Sequence, residues 1–127
     1  MPEILIAIGS ALGGLARYWL SVAAARAWGE SFPWGTLIIN IAGSFVIGLF
    51  FTLTAATGAI PVSGNTRLFV MTGLCGGFTT FSSFSLETLN LIRDGESTRA
   101  AANIGLSLAF CMLGVWLGHV LAAAMNK

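Results

Sequence analysis

Met71-Thr-Gly-Leu-Cys-Gly-Gly-Phe-Thr-Thr-Phe-Ser-Ser-Phe-Ser-Leu-Glu87 lies inside an apolar run, yet it carries three glycines, six hydroxyl residues and three phenylalanines. A lipid-facing helix needs none of these. Gly73, Gly76 and Gly77 weaken a helix, and the Thr/Ser ladder behind them offers the backbone alternative partners. Non-helical backbone at membrane depth persists only where it is buried in protein or faces a wet cavity. The stretch therefore reads as a broken transmembrane helix whose unwound turn faces a polar path or an ion, with the rest of the chain holding it in place.

Working outward, the 127 residues leave room for a single domain, 1–127, and the chain is 56% hydrophobic and 9% charged, against about 25% charged in soluble domains. A span needs about 20 apolar residues, and four fit: Ile4 to Trp28, Trp34 to Thr57, Arg67 to Ile92, and Ala100 to Ala124. The fold class expected is an all-α membrane protein with four transmembrane helices per subunit, the third broken. Little remains outside the spans, so any activity is expected within the lipid bilayer. A net charge of +1 offers no field for nucleic acid. Met1-Pro2-Glu3 has no basic n-region, so the first span is expected to persist rather than be cleaved. Cys75 and Cys111 lack ligand or disulfide spacing and read as small buried hydrophobes.

The first span contains Gly9-Ser-Ala-Leu-Gly13, a spacing that lets helices approach closely. Arg17 lies deeper in the span. It either faces a vestibule or a protein partner, or with Arg26 marks a helix end and snorkels outward. Trp19, Trp28 and Trp34 fit an interfacial belt around the 29–33 turn. In the second span Asn40 follows Thr36 by one turn and shares its face. The Asn40 amide reads equally as a packing bond to a neighbouring helix or as a donor aimed into an anion path. Asn103, Ser107 and Cys111 form a stripe on the fourth span, facing either a pore or a helix seam, and Gly114 and Gly118 give that helix a packing face in any case. His119 reads as interfacial. Gly58 to Thr66 reads as a loop and Arg93 to Arg99 as a solvated turn.

The run Gly76-Gly77-Phe78-Thr79-Thr80-Phe81-Ser82-Ser83-Phe84-Ser85-x-Glu87 closely resembles the signature of the Fluc (CrcB) fluoride channels. Gly14-Leu-Ala-Arg17-Tyr18, Gly35-Thr36-Leu37-x-x-Asn40 and Ser107 match as well, so the resemblance covers the whole chain. It implies an antiparallel, dual-topology homodimer that exports fluoride passively across the cell inner membrane. It also implies a fluoride pore of Asn40, Phe81, Phe84, Ser82, Ser83, Ser107 and Glu87, with Arg17 and Thr36 in vestibule or structural roles. The backbone carbonyls of Gly76 and Thr79, from both subunits, are implied as ligands of a structural Na⁺ at the dimer interface. Cys111 stands where such channels often carry a hydroxyl.

The chemistry is consistent with this. Fluoride is small and strongly hydrated, so a pore has to replace its water with donors that still release it. Asn40 and the serines are neutral donors, and Phe81 and Phe84, three residues apart, could present positive ring edges in succession. Glu87 reads either as the acidic end of the hydroxyl track or as a helix-end residue. With loops on alternate sides, Arg67 and Lys127 oppose Arg26, Arg93 and Arg99, a bias too small to set one orientation. A small multidrug-type exporter is the main alternative; it needs a carboxylate within the first span, where only Glu3 at the outer end is available. A non-transporting assembly subunit is the other. No acid–base or nucleophile set points to an enzyme.

Overall fold

Span-length apolar segments have no water to bond their backbone N–H and C=O groups, so each closes its hydrogen bonds within a helix. The computed structural model, which describes residues 1–127, is accordingly all helical. Helix α1 is Pro2–Trp28 and α2 is Trp34–Leu53. The third span is built from pieces: Gly64–Arg67, a wider π-helical stretch Leu68–Cys75 and Gly76–Phe78 run on from one another as α3, and α4 is Phe81–Arg93. Helix α5 is Ser97–Met125. With the third span taken as Gly64–Arg93, all four are long and apolar enough to cross a bilayer. The protein is a multi-pass membrane protein.

Helix α2 lies mainly against α5, and α1 mainly against α3. Both seams depend on missing side chains. A Cβ on Gly13 would come 2.8 Å from the Phe78 amide nitrogen, and one on Gly77 2.8 Å from Ser10 Cα. Across the other seam Gly48 faces the Val115 carbonyl and Gly118 the Phe45 carbonyl. In lipid, where apolar side chains gain nothing by leaving water, this close backbone contact is what holds helices together.

The break lies within the stretch 71–87, at its hydroxyl residues rather than at its glycines. Gly73, Gly76 and Gly77 are all helical, and the chain opens at Thr79 (φ −81°, ψ 156°) and Thr80 (φ −152°, ψ 113°). Gly73 and Gly77 are instead the points where α1 touches α3. Their small size matters for approach, not for unwinding.

Helix α2 also stops earlier than expected, at Leu53 rather than Thr57. Its last carbonyls are claimed from outside. Arg67 Nη1 donates to Phe51 O at 3.3 Å and to Thr54 Oγ1, Asn126 Nδ2 donates to Thr52 O at 3.0 Å, and Ile60 N donates to Leu53 O at 3.0 Å. The Arg67 guanidinium sits 5.0 Å over the Phe51 ring. Once these orphan carbonyls have partners, the helix gains nothing by continuing. His119 is exposed, and its Nδ1 lies 2.8 Å from Thr52 Oγ1 at the end of α2.

Between α4 and α5 the turn is short and sharp. Gly95 adopts φ 78°, Glu96 N donates to Leu91 O at 2.8 Å and Gly95 N to Ile92 O at 3.1 Å, the αL helix stop that favours glycine. The turn sends α5 back along α4.

Adjacent glycines supply a controlled test of the α1–α3 seam. Gly13→Val should destabilise the protein by about 1–3 kcal/mol, because the added atoms meet backbone that cannot yield. Gly14→Val, with nothing within 4 Å, should be tolerated. Thermal unfolding in detergent with size-exclusion chromatography compares them; equal behaviour would refute the seam.

Candidate functional site

Two extended residues in the middle of a span leave backbone groups that lipid cannot satisfy. Asn40, on α2, satisfies two of them. Its Nδ2 donates to Thr80 O at 3.1 Å and its Oδ1 accepts from Thr80 N at 2.8 Å. Gly43, one turn on, leaves room for the Thr79 side chain. Thr80 then caps α4: its Oγ1 accepts from Ser83 N at 3.1 Å, with the Ser83 and Ser82 hydroxyls at 3.1 and 3.2 Å. Arg17 reaches the same junction from α1, donating from Nε to Gly77 O at 3.2 Å. It is thus paired with protein rather than snorkelling outward.

The break also leaves acceptors. In an unbroken helix Gly76 O would receive the Thr80 amide and Thr79 O the Ser83 amide, but those donors are turned to Asn40 and to Thr80 Oγ1. Both carbonyls are hard oxygen ligands without a helical partner, and both border the same cleft. They suit a hard cation such as Na⁺ far better than a soft one. Elsewhere no group of three His, Cys, Asp or Glu side chains is placed to hold a metal.

Two open cavities meet at Thr80. The wider, about 510 Å³, is a vestibule holding Arg17, Thr36, Ser83 and Glu87. Thr36 Oγ1 donates to Glu87 Oε1 at 2.6 Å, so these two are partners. Acids outnumber bases in this vestibule, where Glu30, Glu87, Asp94 and Glu96 face Arg17 and Arg99. Glu96 and Arg99 form an exposed pair at 3.8 Å. The mouth is therefore not a cationic trap for anions.

The second cavity, about 320 Å³, is a cleft at the level of the break. Asn40, Phe81, Phe84, Ser107, Gly76 and Thr79 border it, together with Cys75 and Cys111. No ionised side chain does. The Phe81 and Phe84 rings are in tilted contact with centroids 5.3 Å apart, but Phe84 is buried while Phe81 is 73% exposed on the open side. Ser82 lies outside both cavities and is held to Thr80.

Behind the cleft lies a chain of polar groups that the sequence reading joined only in part. Asn103 Nδ2 donates to Thr88 Oγ1 at 2.9 Å, Thr88 Oγ1 donates to Phe84 O at 2.7 Å, and Ser107 Oγ donates to Asn103 Oδ1 at 3.3 Å. The stripe spacing of Asn103 and Ser107 was visible in sequence, but Thr88 was not singled out. A hydroxyl in an apolar span joined to Asn103 by a three-residue turn was the available signal. Thr80 was likewise overlooked, although a Thr just before a helix is a cap signature.

These contacts make Asn40 first of all a clamp. Asn40→Leu should strip Thr80 N and O of their partners and cost about 1–3 kcal/mol for each group left buried without one. Asn40→Asp keeps an acceptor for Thr80 N but sets a carboxylate oxygen against Thr80 O and places a charge within the span, so it should be destabilised at least as much as Asn40→Leu. Thermal unfolding of both proteins gives the ranking; two unfolding temperatures equal to that of the unsubstituted chain would show that the junction does not need Asn40.

Comparison with known proteins agrees along the whole length. The family described as "CrcB-like protein, Camphor Resistance (CrcB)" matches residues 4–119. A Fluoride-specific ion channel FluC of Methylocella silvestris is 60% identical over all of this chain and 97% of its own length. Proteins of the same name from Rhodospirillum rubrum and Opitutus terrae are 56% and 55% identical, over 98% and 94% of their lengths. The four apolar spans and the Gly-Gly-Phe-Thr-Thr-Phe-Ser-Ser-Phe break thus have their place: the chain belongs to the CrcB-like family.

Proposed function

We propose that this chain is the subunit of a fluoride-selective ion channel that lets cytoplasmic fluoride flow passively out across the inner membrane. The observation that carries this reading is the cleft in which Asn40, Phe84 and Ser107 meet with no fixed charge on its walls. A fixed cation would hold a small anion too tightly to release it; neutral donors and ring edges replace water without forming a trap. Fluoride that enters a cell as neutral HF ionises inside, so a passive anion path is enough to remove it. That relatives spanning the full chain are named fluoride-specific channels supports the same assignment.

The working unit in this reading is an antiparallel homodimer. A single chain leaves the cleft open on one side and Phe81 73% exposed there, and a second copy is the simplest wall. The near balance of positive charge between the two loop faces is compatible with insertion both ways. The Gly76 and Thr79 carbonyls of one chain are too few for a hard cation, which takes about six oxygens; the same pair from a second copy, completed by further oxygens, would hold Na⁺ between the subunits. Its role there would be structural, offsetting the carbonyl dipoles that the break leaves without helical donors.

The multidrug-exporter alternative is weak, because Glu3 is exposed at the end of α1 and Glu87 is bonded to Thr36. An assembly subunit would conduct nothing. Purified protein in liposomes should release fluoride rapidly and chloride far more slowly, as followed by ion-selective electrodes; comparable fluxes of the two ions, or none of either, would refute the assignment.

The rings give a finer test. Phe84→Ile and Phe81→Ile change packing only modestly, so folding should survive while fluoride flux falls. The drop should be roughly tenfold or more in at least one, the factor that about 1.4 kcal/mol at the barrier produces. Full flux in both would return the rings to packing.

A further inference from the structure

Asn103 is a primary amide at 1% exposure within a membrane span, and it does not border the cleft. It stands one bond behind it. Thr88 is 8% exposed and Ser107 6%, so the three side chains have only each other and nearby backbone as partners.

The direction of these bonds matters for an anion. A carbonyl only accepts, and an amide NH₂ only donates. In the arrangement observed, Ser107 gives its proton to Asn103 Oδ1, Asn103 gives one to Thr88, and Thr88 gives its own to Phe84 O. All three donors are thus engaged within the chain. With its proton given to Asn103, Ser107 can offer an ion in the cleft it borders only oxygen lone pairs, which repel fluoride.

A half-turn of the Asn103 amide about its Cβ–Cγ bond exchanges Oδ1 and Nδ2 and keeps both contacts. Thr88 then donates to Oδ1, Nδ2 donates to the Ser107 oxygen, and the Ser107 proton is released to the cleft. Phe84 O gives up only a second donor, being an ordinary helical acceptor within α4. The first arrangement makes three hydrogen bonds. The second makes two, plus a third only when an anion in the cleft accepts from Ser107.

We propose that Asn103 is a positioning residue for the conducted ion: its amide sets the direction of the Thr88–Asn103–Ser107 chain, and an anion in the cleft reverses it so that Ser107 presents an O–H. The proposal rests on the fluoride reading and deepens it. Two arrangements that differ by one hydrogen bond are biased by a ligand only through its different affinity for each. Fluoride, a stronger hydrogen-bond acceptor than chloride, offsets the lost third bond where chloride does not. The device thereby favours the smaller ion without a fixed charge.

The direct test observes the amide itself. In protein carrying ¹⁵N-labelled asparagine, with the Asn103 side-chain signal assigned by its loss in Asn103→Gln, sodium fluoride should shift that NH₂ resonance and sodium chloride at equal concentration should not. The shift should vanish in Ser107→Ala. A second test uses flux. Asn103→Leu cannot donate to Ser107, whose hydroxyl falls back on its own helix carbonyl, so fluoride efflux should drop about tenfold, as expected for one hydrogen bond to an ion. Ser107→Ala should drop similarly, and the double variant no further, since the two act through one proton. If the unsubstituted protein conducts fluoride but the amide signal ignores it, or the shift persists in Ser107→Ala, or the flux losses multiply, Asn103 is only a packing amide. If the unsubstituted protein passes no fluoride, the channel reading itself fails. The resonance measurement needs no substitution at Asn103 beyond the assignment, so it stands if Asn103→Leu does not fold.

Discussion

The exchange of two hydrogen bonds between the Asn40 amide and the Thr80 backbone is the interaction on which the rest of this structure depends. A helix cannot be interrupted in lipid unless the freed groups find partners, because each bare N–H or C=O costs several kcal/mol in hydrocarbon. A side-chain amide is suited to the task, since it carries a donor and an acceptor at the spacing of a peptide group. Given that clamp, Thr79 and Thr80 can be extended, α4 can start afresh with its own cap, and Phe81 and Phe84 are set at the cleft while Ser83 faces the vestibule. Arg17 on Gly77 O and Gly43 beside Thr79 are supports of the same junction.

Polarity within the bundle is distributed in the same economical way. Glu87 is held by Thr36, Asn103 by Thr88 and Ser107, and no buried side-chain nitrogen or oxygen lacks a partner. The carbonyls of Gly76 and Thr79 have lost their helical donors, and both residues border the cleft where a proposed cation and a second copy would meet them. If the proposed path runs past these groups, it differs from one of free donors, because an ion there competes for protons already in use. Selectivity then depends on how well the ion replaces the internal acceptor, which favours a compact, strongly accepting anion.

Much of the fold was legible in the chain. Span number follows from composition, because about 20 apolar residues in a row have few other fates. The Gly9–Gly13 and Gly114–Gly118 spacings announced the seams. The break falls inside the stretch that the sequence singled out, but at Thr79 and Thr80, since glycine is weak in a helix in water yet is needed in a membrane for close approach; Gly73 and Gly77 serve approach. The early end of α2 was hidden for a related reason: its carbonyls are taken by Arg67 and Asn126, farther along the chain, and by Ile60 in the loop that follows.

The sequence by itself determined that this is a four-span membrane protein of the CrcB-like family and which residues could serve an ion, because hydropathy and a motif are local properties of the chain. Only the tertiary structure decided how those residues are used. Asn40 faces a backbone gap 40 residues away, Phe84 is buried while Phe81 is open, and Ser107 bonds inward to Asn103 rather than outward. The reason is physical: the role of a polar group in lipid is set by whichever partner meets its donors and acceptors, and helix packing chooses that partner.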